Sequence, residues 1–201
     1  MKVIGITGRS GCGKSTVTAY LREQGLQGID ADQVSREVLL PGSPCLEQLK
    51  NSFGSDIVNE QGVLNRRLLA DRAFATPEGT RRLTQITHPE ILRRIHQAVE
   101  TARRAGEKFF FVDGAVIVGT PFQACCDRLV VVTAPYEQSV ARICARDGIT
   151  PEMARRRLDA QMSEAELLAS ADARLVNDST PQALQQQCRR LLEALRKEEN
   201  G

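Results

Sequence analysis

The chain has 201 residues, of which 41% are hydrophobic and 26% charged, and its formal net charge is +2 at neutral pH. This length suits one domain with a small insertion, and the weakly basic balance gives no support for nucleic-acid binding. The apolar runs are far shorter than a membrane span and Met1-Lys2 leads straight into a strand, so we expect a soluble cytoplasmic protein without a signal peptide.

The first predicted elements are a short buried strand, Val3–Ile6, and a helix that begins near Ser15. Between them, Gly8–Ser15 matches the phosphate-binding pattern G-x-x-x-x-G-K-[ST]. In such a loop backbone N–H groups point at phosphate, Lys14 reaches the β- and γ-phosphates, and the Ser15 hydroxyl holds Mg²⁺. An ordinary glycine-rich turn is the alternative. Because all fixed positions and both flanks match, we expect the chain to bind a nucleoside triphosphate.

Four later apolar runs predict further strands: Gly28–Asp30, Phe109–Val112, Leu129–Thr133 and Arg174–Val176. Helical patterns separate these runs. The alternation predicts an α/β fold, here the three-layer P-loop NTPase fold with a five-stranded parallel sheet. Ligands of such sheets bind beyond the carboxyl ends of the strands, which is where the phosphate-binding loop lies.

A helical insertion interrupts this alternation over about residues 33–105, which contain no convincing strand. Turn-forming residues break it at Pro41–Pro44, Asn51–Gly62 and Thr76-Pro77. We expect the insertion to bind the acceptor. The predicted core of the single domain takes about 1–32, 106–135 and 171–201, and it ends in an amphipathic helix over Pro181–Lys197.

A second helical stretch, about 136–170, carries an arginine-rich segment around the break Gly148–Pro151. Its arginines are Arg142, Arg146, Arg155, Arg156 and Arg157. Arginine suits bidentate phosphate contact, so the stretch is predicted to be a lid that closes over the triphosphate. The alternative is a solvated helix face, and at most two or three of the five are expected to touch the ligand.

Three acidic residues lie at or just after the ends of predicted strands. Asp30 ends the second strand and Asp32 follows it, so that one carboxylate faces the phosphates and the other caps the next helix; Asp32 as a simple N-cap is an equally weighted alternative. Asp113 ends the third strand and is expected to help the metal, directly or through water, or to act as a loop or capping acid. His88-Pro89 predicts a helix start with proline in its first turn, and spacing alone gives His88 no function.

The chain resembles the dephospho-CoA kinase family over most of its length. The matching elements are Val3–Gly8 leading into the loop, Ile29–Asp32 followed by Arg36, Pro41–Ser43, Phe53-Gly54, Gly62–Leu68, Phe74, His88–Ile91, Arg142 with Arg146-Asp147, Gln161 and Asn177. The order and spacing of the Asp-Ala-Asp, Leu-x-Arg and His-Pro elements separate this family from other P-loop kinases. The resemblance implies ATP-dependent phosphorylation of the ribose 3′-hydroxyl of dephospho-CoA, the last step of coenzyme A synthesis.

The resemblance also implies roles for individual residues. Asp32 orients or deprotonates the acceptor hydroxyl, and Lys14 and Arg142 are catalytic. ATP is bound by Gly8, Gly11, Cys12, Gly13, Lys14, Ser15, Thr16, Arg142, Arg146 and Asn177. Dephospho-CoA is bound by Asp32, Arg36, Leu64, Arg66 and His88. The expected partners are these two small molecules, with neither nucleic acid nor membrane, and the protein is a monomer or weak oligomer.

The sequence departs from the family in two places that bear on the site. The family usually carries Pro-Leu-Leu-x-Glu after the third strand, where this chain has Ala115 at the proline position and Gly119 at the glutamate position. This difference bears on acceptor specificity more than on kinase chemistry. The loop carries Arg9-Ser10 where Gly-Ile is usual, although the phosphate-binding pattern leaves those positions free.

Two other functions compete with this interpretation. One is a P-loop kinase for another nucleotide or small alcohol. The other is a GTPase-like switch or a nucleotide-dependent binding module. The switch is disfavoured because the chain lacks the Asn-Lys-x-Asp motif that reads the base, and a binding module without chemistry would not need Asp32 and a lid of arginines. The six cysteines form no C-x-x-C pair and only two histidines are present, so the sequence disfavours a zinc site and favours reduced thiols.

Overall fold

The computed structural model describes residues 1–114 and 117–200. In that part, five strands form one sheet: β1 Lys2–Thr7, β2 Gln27–Asp30, β3 Phe109–Asp113, β4 Arg128–Thr133 and β5 Ala173–Val176. Their order across the sheet is β2-β3-β1-β4-β5, and β1 pairs in parallel with both β3 and β4. The five predicted strands and the α/β fold are therefore confirmed.

Nine α-helices are present in the described residues: α1 Lys14–Glu23, α2 Ala31–Glu37, α3 Pro44–Phe53, α4 Arg66–Ala73, α5 Pro77–Arg104, α6 Tyr136–Asp147, α7 Pro151–Asp159, α8 Glu164–Ala169 and α9 Pro181–Asn200. Short 3₁₀ turns cover Ser55–Ile57 and Pro121–Cys125. None of the helices in the described ranges is both long and apolar enough to cross a membrane.

The chain divides into two compact units. The first, Met1–Ile29 with Ala102–Gly201, contains nearly all of the sheet, and the second, Asp30–Thr101, is helical. The predicted boundaries of the acceptor-binding insertion and of the lid stay predictions.

The core of the first unit lies between one face of the sheet and two helices. Ile4 and Ile6 of β1 pack with Val130 and Val132 of β4, and the apolar stripes of α1 and α9 cover them. The buried residues of α9 within the described range 181–198 are Leu184, Cys188, Leu192 and Leu195. Their spacing of three and four residues places them on one helix face, and the predicted closing helix is confirmed.

The second unit has its own small core around Leu49, Ile57, Leu69 and Ala73. Ser43 begins α3, because its hydroxyl accepts the N–H of Leu46 and Pro44 takes the first helical position. The helix runs on to Phe53, beyond the predicted break at Asn51, and stops at Gly54, whose φ is +105°.

The expectation of a helix start at His88-Pro89 is wrong, because Pro89 lies inside the 28-residue α5. This helix begins instead at Pro77, where the Thr76 hydroxyl accepts the N–H of Gly79. An interior proline loses one backbone hydrogen bond and costs about 3 kcal/mol. Buried residues on both sides of Pro89, among them Thr87 and Ile91, continue the packed face of the helix. Their burial offsets that cost.

Candidate active site

The phosphate-binding loop joins β1 to α1 in a conformation that requires glycine. Gly13 has a φ of +98° immediately before α1, and a Cβ there would collide with the Asn177 amide nitrogen. Gly11 has a φ of +75°, and a Cβ there would lie 2.5 Å from the Ser139 carbonyl oxygen. Neighbouring backbone and side chains therefore approach the loop more closely than any larger residue allows.

The hydrogen-bond donors of the site, which are backbone N–H groups and the Lys14 ammonium, lie where this loop enters α1. The Lys14 ammonium donates to the Gly8 carbonyl oxygen at 3.1 Å, which holds it across the loop. Ser15 is exposed on the first helical turn. The first four N–H groups of a helix have no intrahelical acceptor, and they carry the positive end of the helix dipole. This arrangement suits an anion with several oxygens, such as a triphosphate.

Two side chains from distant parts of the chain hold the loop carbonyls. The Asn177 amide donates to the Cys12 carbonyl oxygen at 2.9 Å, and Arg142 donates to the Gly11 carbonyl oxygen at 3.2 Å. Arg142 also contacts the Gln138 amide oxygen at 3.2 Å. In a trans peptide the C=O and the next N–H point in opposite directions. Holding the Cys12 carbonyl therefore directs the Gly13 N–H away from Asn177.

Cys12 lies under the loop and is 2% exposed. Burial raises the pKa of its thiol, and the nearby Lys14 charge opposes this shift only in part. All six cysteines are free of disulfide bonds, as the prediction of reduced thiols requires. Cys12 is thus a packing residue of the loop.

Asp113 ends β3 opposite Ile6 of β1 in the sheet register. Ile6 lies two residues before the loop begins at Gly8, so Asp113 lies beside the start of the loop, and its charge contributes to the raised pKa of the Cys12 thiol. Carboxylate and hydroxyl oxygens are hard ligands, and Asp113 and Ser15 therefore fit Mg²⁺. In the described residues no group of three or more His, Cys, Asp or Glu side chains could hold a metal. Magnesium here would take its other ligands from phosphate and water.

The two acids at the junction of β2 and α2 differ in their contacts. The Asp30 carboxylate accepts the Gln33 N–H at 3.0 Å and caps α2. The alternative that Asp32 is the N-cap is therefore wrong. Asp32 lies in the first turn of α2, half-buried, and within the described ranges its carboxylate has no hydrogen-bond or ion-pair partner. It is available to bind a ligand.

The other predicted acceptor residues lie in the second unit. Arg66 opens α4, and its guanidinium donates to the Arg36 carbonyl oxygen at 3.4 Å, which brings these two arginines together. Leu64 pairs with Val58 in an isolated antiparallel bridge two residues before α4. His88 is half-buried within α5. The contacts of these residues with an acceptor stay predictions.

The five arginines of the predicted lid differ in their partners. Arg142 alone of the five donates to the phosphate-binding loop among the described contacts. The other four form ion pairs: Arg146 and Arg157 with Asp147, Arg155 with Glu137, and Arg156 with Glu152. Arg146 as a nucleotide ligand stays a prediction, and the alternative of a solvated helix face describes Arg155 and Arg156 well.

Sequence reasoning gave no role to Arg9 of the loop or to Gln161, which together connect the loop to the end of α7 and the segment after it. The side chain of Arg9 donates to the Leu158 carbonyl oxygen, and Gln161 bonds to Ser10 through both amide atoms. Arg9 and Ser10 occupy free positions of the motif, and Gln161 lies 151 residues further on, so no local pattern marks these contacts. Of the predicted departure after β3, Ala115 and Val116 lie outside the described residues.

Both the sequence and the fold of the chain match one protein family. Residues 2–183 match the family model described as dephospho-CoA kinase. A dephospho-CoA kinase from Anaeromyxobacter dehalogenans is 39% identical over 98% of this chain and 93% of its own. A solved protein from Thermus thermophilus superposes with a TM-score of 0.82 at 31% identity, covering 96% of this chain and 97% of its own. A dephospho-CoA kinase from Campylobacter jejuni superposes with a TM-score of 0.63 at 25% identity, with the same coverage.

Proposed function

The chain belongs to the dephospho-CoA kinase family, and from that premise we propose that it transfers the γ-phosphoryl group of ATP to the ribose 3′-hydroxyl of dephospho-CoA. The products are coenzyme A and ADP. The observation that carries the proposal is the phosphate-binding loop, whose glycine conformations, Lys14 and the Asn177 brace together form a cradle for a triphosphate.

In this proposal the loop and its neighbours bind ATP, the phosphoryl donor. Loop N–H groups and the Lys14 ammonium bind the phosphates, and Arg142 neutralises charge that develops on the transferred group. Thr16 and the backbone around Cys12 complete the cradle. Ser15, with help from Asp113, holds Mg²⁺, which supplies further charge neutralisation when bound.

Asp32 and other residues of the second unit bind dephospho-CoA, the phosphoryl acceptor. The Asp32 carboxylate accepts the proton of the 3′-hydroxyl and directs an oxygen lone pair at the γ-phosphorus. The new bond joins this oxygen to phosphorus, and the bond to the β,γ-bridging oxygen breaks. Arg36 and Arg66 bind anionic groups of the acceptor, and Leu64 and His88 border it. Support for Asp32 comes from its unpartnered carboxylate in the described chain, since Asp30 already caps the helix.

The proposed setting is the cytoplasm, where ATP and Mg²⁺ are available, with the enzyme acting as a monomer or weak oligomer. No contact with nucleic acid or membrane is part of the proposal.

A turnover assay tests the proposal directly. ADP formation is followed with purified protein, ATP, Mg²⁺ and dephospho-CoA, and the product is identified by mass. Coenzyme A is the matched control acceptor, because its 3′-hydroxyl already carries the phosphate. We expect ADP with dephospho-CoA and none above background with coenzyme A. Turnover with another nucleotide or alcohol, and none with dephospho-CoA, would overturn the proposed acceptor.

A further inference from the structure

Two free positions of the phosphate-binding motif are occupied by residues that point away from the phosphate cradle. Arg9 donates through Nη2 to the carbonyl oxygen of Leu158 at 2.6 Å, near the end of α7. Its guanidinium carbon lies 5.8 Å from the centre of the Tyr136 ring, within the range of a cation–π contact. Its Nε is buried. Arg9 is therefore directed into the contact between the loop, α6 and α7.

The next residue, Ser10, is held by Gln161 in the connection between α7 and α8. The Gln161 side-chain oxygen accepts the Ser10 N–H at 2.9 Å, and its amide nitrogen donates to the Ser10 hydroxyl at 2.8 Å. Both polar ends of one side chain are thus used on a single loop residue. A reciprocal pair of this kind determines orientation as well as distance.

The helices that receive these contacts are themselves packed together. Val140 and Ile143 of α6 form a buried cluster with Ala154 and Leu158 of α7. The Tyr136 hydroxyl at the start of α6 also donates to Asp159 at the end of α7, at 2.9 Å. A displacement of the α7 end therefore displaces the residues that hold the loop.

We propose that Arg9 and Gln161 are positioning residues that fasten the phosphate-binding loop to the end of α7 and the α7–α8 connection, and that this attachment sets the affinity of the loop for triphosphate. The attachment rests on the proposed function only in taking ATP as the donor. Neither side chain touches phosphate. Each acts through the loop backbone, whose N–H groups bind phosphate only when the peptides keep their orientation.

The first experiment measures binding without an acceptor. Dissociation constants for ATP and for adenosine are measured by calorimetry with the full chain and with the variants Arg9→Ala and Gln161→Leu. Loss of one or two hydrogen bonds that orient the loop should weaken ATP binding about fivefold or more. Adenosine binding should not change, because the attachment acts on the triphosphate cradle. Arg72→Ala is the control, since Arg72 makes a similar bond to the Phe53 carbonyl oxygen in the second unit.

The second experiment uses hydrogen exchange of the ligand-free protein, where a direct phosphate contact has no effect. Peptides covering residues 156–163 should exchange faster in both variants than in the parent chain, and those of the Arg72→Ala control should not. Unchanged exchange in this segment, or ATP binding that weakens in only one of the two variants, would overturn the attachment. If both variants weaken ATP binding as expected but the parent chain does not phosphorylate dephospho-CoA, only the proposed acceptor is overturned.

Discussion

The side-chain amide of Asn177 donates a hydrogen bond of 2.9 Å to the carbonyl oxygen of Cys12, joining the residue after β5 to the middle of the phosphate-binding loop. Asn177 is 8% exposed, so this bond lies away from competing water. The same amide nitrogen occupies the space that a Cβ at Gly13 would need. Asn177 therefore both holds the Cys12 carbonyl and requires glycine at position 13.

Asn177→Leu should therefore weaken both folding and nucleotide binding. It removes the donor and leaves the Cys12 carbonyl unpaired, which should lower the free energy of unfolding by about 1–3 kcal/mol. Urea denaturation measures this loss, and the KM for ATP should rise. Asn51→Leu, on the exposed side of α3, is the control for a polar-to-apolar change. Unchanged stability and ATP KM in Asn177→Leu would contradict the bracing role.

Lys14→Ala should remove phosphoryl transfer. The variant loses the only lysine of the loop, and with it the charge that binds the β- and γ-phosphates. We expect kcat/KM for ATP to fall at least about a hundredfold. Steady-state kinetics with dephospho-CoA measures the change. Lys50→Ala, which removes the half-buried lysine that pairs with the exposed Glu47 in α3, should keep the parent rate. Equal rates for the two variants would refute the role of Lys14.

Asp32→Asn should separate binding from turnover. Asparagine has nearly the shape of aspartate but cannot accept the hydroxyl proton, so kcat should fall about 10²- to 10⁴-fold while the dissociation constant for ATP stays the same. Asp30→Asn is a close control, because asparagine caps helices as well as aspartate does. Its activity and stability should both persist. Normal turnover by Asp32→Asn would show that another group handles the acceptor hydroxyl.

Stability should fall in acid because of Glu90 in α5. Hydrogen bonds from Arg93 and then Arg94 lower the pKa of Glu90 to about 2, from an ordinary value of 4.5. A carboxyl whose pKa is lower in the folded state stabilises the fold above the unfolded-state pKa, and this contribution is lost as pH falls towards the folded-state pKa. The relevant window is therefore about pH 4.5 to 2.

The comparison of Glu90→Gln with the parent chain measures this contribution. Thermal unfolding should show the variant to be less stable at pH 7, and the difference should shrink as pH falls from about 4.5 to 2. Glu60→Gln, in an exposed turn, should show little difference at any pH. A gap between Glu90→Gln and the parent that is constant over pH would assign the effect to packing instead of charge.

Thiol reactivity should follow exposure. Cys125 is exposed, whereas burial raises the pKa of the Cys12 thiol and raises that of Cys126 to about 12. Because the thiolate is the reactive form, iodoacetamide at neutral pH should label Cys125 well before the other two. Mass spectrometry of tryptic peptides gives the order. Labelling of Cys12 as fast as Cys125 would indicate that the loop opens in solution.

The strands and the donor loop could be predicted because their signals are local. β1, β3 and β4 are short apolar runs, and Gly8–Ser15 carries its whole pattern within eight residues. The helical part was harder to predict. At His88-Pro89 the local rule for proline predicted a helix start, whereas the buried face of α5 continues through that position and offsets the lost hydrogen bond. At the end of β2, spacing alone did not separate the roles of Asp30 and Asp32, whereas the hydrogen bond from the Gln33 N–H to the Asp30 carboxylate did.

By itself, the sequence determined the α/β fold, the family and the place of the phosphate-binding loop, because a strand, a glycine-rich turn and a helix start are encoded by neighbouring residues. Only the tertiary structure decided what holds that loop. The side chains that contact it belong to residues 131 to 165 positions further along the chain, namely Arg142, Gln161 and Asn177. The Arg9 side chain extends from the loop to the Leu158 carbonyl oxygen. Such contacts depend on how the helices pack on the sheet, which brings together residues that no short pattern relates.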